Sequence, residues 1–354
     1  MDSTDDTATA PTGLLARLAD GAVICAEGYL FEFERRGYLQ AGAFVPEVVL
    51  EHPEEVESLH REFVHAGSDV VEAFTYYGHR EKLRLIGKEH LLEQLNQGAL
   101  RIAGRVARDT GTLLAGNVCN TNLFEPGNAE AAATVRAMFT EQIGWAVDAG
   151  ADLVIGETFS FAGEALVALE AIKAAGLPAV ITLAFHQEPV TREGWTVAEA
   201  SKRIADAGAD VVGLNCIRGP KTMLPMVADA VAAVDIPVAA LPVPYRTHAD
   251  EPTFQSLRDP GYPDTPGGRP FPTALDPFTC NRYEIADFTR AAYDAGARYL
   301  GVCCGAAPHH IRAMAEALGR TPPASRYSAD MSKHAFFGTD TTLRQNNLTY
   351  SGRL

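Results

Sequence analysis

The chain has 354 residues, 47% of them hydrophobic, and a formal net charge of −15. That apolar content supplies one large core, and the acidic balance excludes nucleic acid and anionic membrane surfaces as partners. No apolar run reaches the length of a membrane span and no basic-then-apolar leader opens the chain, so the reading is cytoplasmic, where six cysteines point to metal binding or catalysis before disulfides.

Residues 1–13 are acidic, Thr-rich and contain Pro, and are expected to form a flexible N-terminus. From residue 14 onward one phrase keeps returning. It reads Ala66-Gly67-Ser68-Asp69, then Ala149-Gly150-Ala151-Asp152, Ala207-Gly208-Ala209-Asp210 and Ala295-Gly296-Ala297-Arg298. Each copy follows an amphipathic stretch and leads into a short apolar run. Glycine suits the left-handed position that ends a helix, and the β-branched run that follows suits a buried parallel strand. Strands are expected at 22–25, 70–74, 112–118, 153–157, 179–183, 211–215, 238–241 and 299–303, with helices between them, as at 53–65 and 129–149. Eight such units predict an α/β fold, a (β/α)8 TIM barrel over residues 14–324, with its active site at the C-terminal rim of the strands. A segment rich in Pro and Gly, 241–283, is expected to lie over that rim as a long loop after strand seven. The polar tail, 325–354, reads either as an arm gripping a second copy in a homo-oligomer or as a loose end.

Sulfur is the strongest chemical signal. Cys216 ends strand six, and Cys303 with Cys304 ends strand eight. In a closed barrel those ends share one rim, two strands apart, within reach of one ion. Catalytic zinc keeps three protein ligands and one open position, which matches three cysteines. Gly301 and Gly305 flank the pair and let the backbone turn both sulfurs toward one point. Cys25, Cys119 and Cys280 lack such a constellation and read as small buried side chains. Three thiolates leave a Zn2+ site with net charge −1. Such a centre is a weak Lewis acid for hydrolysis but suits ionising a substrate thiol, which then attacks an electrophilic carbon.

The runs Gly213-Leu214-Asn215-Cys216 and Gly301-Val302-Cys303-Cys304-Gly305 resemble the two zinc signatures of the homocysteine S-methyltransferase family. The similarity continues through Arg35-Arg36-Gly37-Tyr38, Glu51-His52-Pro53-Glu54, Leu59-His60-Arg61-Glu62-Phe63 and Pro308-His309-His310-Ile311-Arg312-Ala313, and is greatest to the betaine-using members. The resemblance implies a zinc-dependent enzyme of methionine biosynthesis. It would methylate homocysteine to methionine from a small onium donor, a betaine or a related sulfonium compound. Carried over residue by residue, Cys216, Cys303 and Cys304 fall on the zinc ligands, and Glu157 falls on the acidic residue that holds the amino acid's ammonium group. Asn215, next to Cys216, joins Glu157 in the expected catalytic set. Tyr77 falls on a donor-site aromatic, and Phe44 on a position where the betaine enzymes carry Trp. With Tyr76 these rings can wall an onium cage, because the face of an aromatic ring attracts a quaternary ammonium.

The chain also departs from the family pattern. The first strand of the family ends in Asp-Gly-Gly, where this chain reads Ala26-Glu27-Gly28. Glu27 is therefore the candidate for the displaced ammonium contact, with Gly28 beside it at the substrate. Thr158 stands where betaine enzymes tend to carry Tyr. Two other readings belong to different classes: a homocysteine-activating zinc module that accepts methyl from a separate corrinoid protein, and a barrel whose zinc is structural. The aromatic and loop equipment favours a self-contained enzyme, and no fourth cysteine stands at a comparable strand end.

Overall fold

The computed structural model describes residues 13–265 and 268–354, so the expected flexible terminus lies outside the described residues except for Gly13. Eight parallel strands close into a barrel in chain order: β1 (Val23–Ala26), β2 (Val70–Glu72), β3 (Leu113–Cys119), β4 (Leu153–Phe159), β5 (Ala179–Leu183), β6 (Val211–Asn215), β7 (Val238–Leu241) and β8 (Ala297–Val302). β8 returns to pair with β1, with Cys25 opposite Gly301 and Ala26 opposite Val302. Helices such as Pro53–Ala66 and Ala129–Asp148 fill the intervals. The recurring phrase does what its chemistry suggests. Gly67, Gly150, Gly208 and Gly296 all have positive φ, between 75° and 117°, and each ends a helix before a strand.

Within each strand, alternate residues face the barrel axis. Val23, Cys25, Val70, Leu113, Ala115, Leu153, Ile155, Val180, Val211, Ala239, Leu241 and Tyr299 pack together inside, while their neighbours pack outward against the helices. Leu14 and Leu18, on the helix Leu14–Asp20, join this inner cluster and close the bottom of the barrel. The inner core is thus apolar below. Two or four residues further toward the C-terminal ends, the same parity at six of the strands brings polar groups and a sulfur inward: Glu27, Glu72, Asn117, Glu157, Asn215 and Cys303, all buried.

β2 is shorter than the expected 70–74. It ends at Glu72, and the turns that follow are closed by the Thr75 amide on the Ala73 carbonyl and the Gly78 amide on the Thr75 carbonyl. The long segment after β7 does reach the rim. The Phe254 amide donates to the Ile217 carbonyl, the Cys303 amide to the Pro242 carbonyl, and Tyr245, within the segment, is fully buried. The tail runs through short turns to one helix, Gln345–Ser351, and exposes Met331, Phe337 and Tyr350. No described helix is long and apolar enough to cross a membrane.

Candidate active site

Cys216 is the first residue past β6, and Cys303 and Cys304 are the first two past β8. Closure of the sheet brings their three sulfurs within 4.8 Å of one another, with Cys303 and Cys304 4.0 Å apart. All three are buried. The turn that aims Cys216 is strained: Cys216 and Ile217 have φ of 56° and 61°, a left-handed backbone that costs a non-glycine residue about 1–3 kcal/mol. The surroundings hold it there. The Cys216 amide donates to the Leu241 carbonyl at 2.9 Å. The buried Arg218 guanidinium then donates to the carbonyls of Phe185, His186 and Gln187 at 3.2, 2.6 and 2.9 Å, locking the loop after β5 to the same turn. Gly305 has φ of 97° and lies against the Tyr245 ring where any side chain would collide.

Three thiols at this distance cannot titrate independently. Bonding from Cys303 and Cys304 holds the Cys216 thiol well below its ordinary range. Burial pushes Cys303 up, and the charge on Cys216, through their shared hydrogen bond, pushes up Cys304. Three buried sulfurs converging on one point are a donor set that fits a thiophilic ion, and three cysteines fit zinc. Among the described residues no fourth cysteine joins them: Cys119 instead accepts the Tyr77 amide at 3.3 Å, and Cys25 and Cys280 are buried elsewhere.

Beside the sulfurs lies a polar network built at the ends of five strands, β1, β2, β3, β4 and β6. Asn215 is fully buried at the end of β6. Its amide nitrogen donates to Glu157 Oε2 at 2.7 Å, to Thr158 Oγ1 at 2.9 Å and to Glu27 Oε2 at 3.3 Å, and its oxygen accepts the Thr158 amide at 3.0 Å. Thr158, with φ of 61°, is held in a left-handed conformation by those bonds. From the other side Asn117 donates to Glu157 Oε1 at 2.7 Å and to Glu72 Oε1 at 2.6 Å. Burial pushes the Glu157 carboxyl up to about 8, against the pull of these donors. Burial and the neighbouring Glu157 also push Glu27 and Glu72 up. The chamber that Glu27, Glu72, Asn117 and Glu157 enclose with Tyr29, Leu30, Tyr76, Cys303 and Cys304 is small, about 10 Å³.

A larger cavity of about 420 Å³ opens above it. Its walls include Phe44, Tyr76, Tyr77, Phe254 and Phe271, with Thr158, His186, Arg192, Cys216 and Cys304 among the polar and sulfur groups. Phe31 carries Phe44, Phe254 and Phe271 on its ring at centroid distances of 5.8, 5.9 and 6.3 Å. The Tyr76 and Tyr77 rings lean together at 4.4 Å, and Lys82 Nζ sits 3.9 Å from the Tyr77 centroid. Phe44 and Tyr77, like Cys216 and Thr158, have positive φ. Non-glycine residues in such strained conformations cluster at functional sites.

Residues 27–318 match the sequence model of the homocysteine S-methyltransferase family. The chain belongs to that family. It is 37% identical over 334 residues to the betaine–homocysteine S-methyltransferase 1 of Danio rerio, covering 92% of this chain and 80% of that one. It is 32% identical over 338 residues to the S-methylmethionine–homocysteine S-methyltransferase of Pongo abelii, covering 93% of this chain and 87% of the relative. The metallated form of a homocysteine methyltransferase from Escherichia coli shares the fold, with a TM-score of 0.65 at 18% identity over 85% of this chain and 98% of its own.

For this homocysteine S-methyltransferase the structure assembles nearly the whole set of residues singled out in the sequence. Cys216, Cys303, Cys304, Glu157, Asn215 and Glu27 meet around the sulfurs, and Phe44, Tyr76, Tyr77 and Thr158 line the larger cavity. Gly28 stands apart: it precedes the helix Tyr29–Arg35, packs against Ala306 where a side chain would collide, and lines neither chamber. Sequence reasoning missed Glu72 and Asn117. The signal for both was parity, since each stands two residues past an inward apolar position, Val70 and Ala115. The aromatic contributions of Phe254 and Phe271 were hidden inside a loop without periodicity.

Proposed function

We propose that this S-methyltransferase moves a methyl group from a small onium donor, a betaine or a related sulfonium compound, to the thiolate of homocysteine, giving methionine. The observation that carries the reading is the junction of the two chambers. Tyr76 and Cys304 line both the carboxylate-rich inner chamber and the aromatic outer cavity, so the sulfur cluster stands where an amino-acid thiol and an onium methyl would meet. Zinc held by Cys216, Cys303 and Cys304 would keep the acceptor sulfur ionised near neutral pH. The chain's own residues do the rest. Glu157 and Glu27 take the acceptor's ammonium end, and Asn215 fixes both carboxylates in place. Phe44, Tyr76 and Tyr77 offer ring faces to the onium charge. The loop carrying Phe254 and Phe271 excludes water and holds the methyl carbon in line with the sulfur. A carbon–sulfur bond to the acceptor forms as the donor's carbon–nitrogen or carbon–sulfur bond breaks. The electron pair leaves on the donor as a neutral amine or sulfide.

The names of the two relatives support an onium donor as a class, since one acts on betaine and the other on S-methylmethionine. Thr158 and the smaller Phe44 open the cavity relative to the Tyr and Trp expected at those positions. That extra room is the reason to set longer betaines beside glycine betaine in the test. The test is methionine formation by the purified, zinc-loaded chain from homocysteine and a panel of donors: glycine betaine, longer betaines, a dimethylsulfonio acid and S-methylmethionine. Methionine and demethylated donor in equal amounts, with no second protein, is the expected result. Methionine only when a methylated corrinoid protein is supplied would overturn it.

A further inference from the structure

The segment after β7 carries a fully buried tyrosine, Tyr245, that the proposed chemistry leaves without a role. β7 lies between β6 and β8 in the barrel, so the chain leaving it passes between the two strand ends that carry the sulfurs. Cys303 and Cys304 belong to a four-residue turn, Cys303 to Ala306, closed by the Ala306 amide on the Cys303 carbonyl at 2.9 Å. Gly305, its third residue, has φ of 97°, a conformation glycine adopts freely. The turn is gripped from two sides. Ala306 lies against Gly28, and Gly305 lies so close to Tyr245 that an added Cβ would stand 2.4 Å from the phenol oxygen. That oxygen accepts a bond from Arg35 Nη2 at 2.7 Å. Nη1 of the same guanidinium lies 3.5 Å from the Gly305 carbonyl, and Nε lies 3.5 Å from Asp276. One side chain at the end of the helix Tyr29–Arg35 thus reaches the tyrosine, the cysteine turn and the segment after β7. On its other side the Tyr245 ring runs nearly parallel to that of Phe254, at 27° and 6.1 Å between centroids. The Phe254 amide donates at 2.9 Å to the carbonyl of Ile217, the residue next to Cys216.

We propose that Tyr245, fixed by Arg35, is a positioning residue for the metal centre: it holds the turn from Cys303 to Ala306 so that Cys303 and Cys304 face Cys216. The sulfurs are then aimed by the segment after β7 as well as by the strands that end in them. Groups that orient metal ligands from behind set metal affinity without touching the ion. The inference rests on the reading above that the three cysteines hold zinc.

The experiment measures zinc affinity by competition with a chromogenic chelator, with a melting curve on each variant. Tyr245→Phe keeps the ring against Gly305 and Phe254 and removes only the oxygen that Arg35 holds. Arg35→Met keeps an apolar stem and removes the guanidinium. Each is expected to hold zinc about ten- to hundredfold more weakly than the parent. The double variant should be no weaker than Arg35→Met alone, because both changes cut the same bond. Cobalt(II) loaded in place of zinc gives a second readout, since its visible absorption follows the geometry of the thiolates around it. Tyr245→Phe should shift those bands while the protein remains folded. Parent-like zinc affinity with parent-like cobalt bands in Tyr245→Phe, whether or not its melting temperature falls, overturns the positioning role and leaves the three-cysteine site standing. A double variant whose loss is the product of the two single losses overturns it as well. A parent that binds no zinc overturns the metal reading and the positioning role with it.

Discussion

The side chains of Cys216, Cys303 and Cys304 are buried and converge within 4.8 Å of one another. Replacing Cys216 or Cys304 by Ala removes one of three converging donors and leaves the other thiols buried without it. Each variant is expected to lose bound zinc and nearly all methyl transfer while keeping its fold; metal analysis beside circular dichroism checks this, and a variant with full zinc and full activity would be incompatible with the assignment. At Tyr77 the expected effect is narrower. Its ring lines the outer cavity and not the inner chamber. Tyr77→Ala should therefore raise the KM for a cationic donor by about three- to thirtyfold, the worth of one desolvated cation–π contact, and leave the KM for homocysteine within twofold. Initial rates against each substrate decide the point. Residues of this kind were legible in the sequence because each stands in a run with a recognisable chemistry at a strand end. Glu72 and Asn117 were not, because a lone polar residue inside an apolar run carries no motif. Its meaning comes only from the register that turns it toward Glu157.

Strands and helices were the most readable level. Apolar runs of four to seven residues bracketed by a helix-ending glycine admit few other folds, and seven of the eight expected strands overlap the observed ones almost fully. β2 was overextended because Ala73 and Phe74 are as apolar as the strand they follow, and the turn that ends it is written in backbone hydrogen bonds. The bottom-closing helix was also invisible, since seven residues give little periodicity. Its importance is testable. Leu14 is 1% exposed and belongs to the inner cluster, so Leu14→Ala should cost about 2–5 kcal/mol in denaturant unfolding, at the scale of other buried leucine truncations. Gly301 couples an element to the site. An added Cβ there collides with the Cys25 carbonyl on the neighbouring strand and comes within 2.5 Å of Leu241 Cδ2. Gly301→Ala is expected to destabilise the barrel by about 1–3 kcal/mol and to weaken zinc retention, because Cys303 lies two residues further along the strand that must shift. Urea midpoints with metal analysis give the answer; normal stability and normal zinc would show that the two strands have slack.

At the scale of the whole molecule, the barrel buries titratable groups that set its response to acid. His60 is 1% exposed, with Nδ1 3.1 Å from the Tyr29 hydroxyl, and burial pushes its pKa down to about 3. The native histidine stays neutral while the unfolded one takes up a proton below about 6.5, so the stability it contributes is present above pH 6.5 and is lost as pH falls toward 3. Glu157, raised to about 8, acts in the opposite sense: its contribution is lost as pH rises through that value. The two are separated by comparison. The stability deficit of His60→Asn relative to the parent should shrink by about 1.4 kcal/mol per pH unit below pH 6.5. A deficit that stays constant from pH 7 to pH 5 would mean that His60 takes up its proton as readily in the fold as in the unfolded chain. The central proposal is a thiol-activating zinc held by Cys216, Cys303 and Cys304 where the two chambers meet. X-ray absorption at the zinc edge of the loaded protein, recorded without and with homocysteine, tests it most directly. Three sulfur neighbours are expected without homocysteine and four with it; four before homocysteine is added, or a count that homocysteine does not change, would contradict the proposed thiol-activating site.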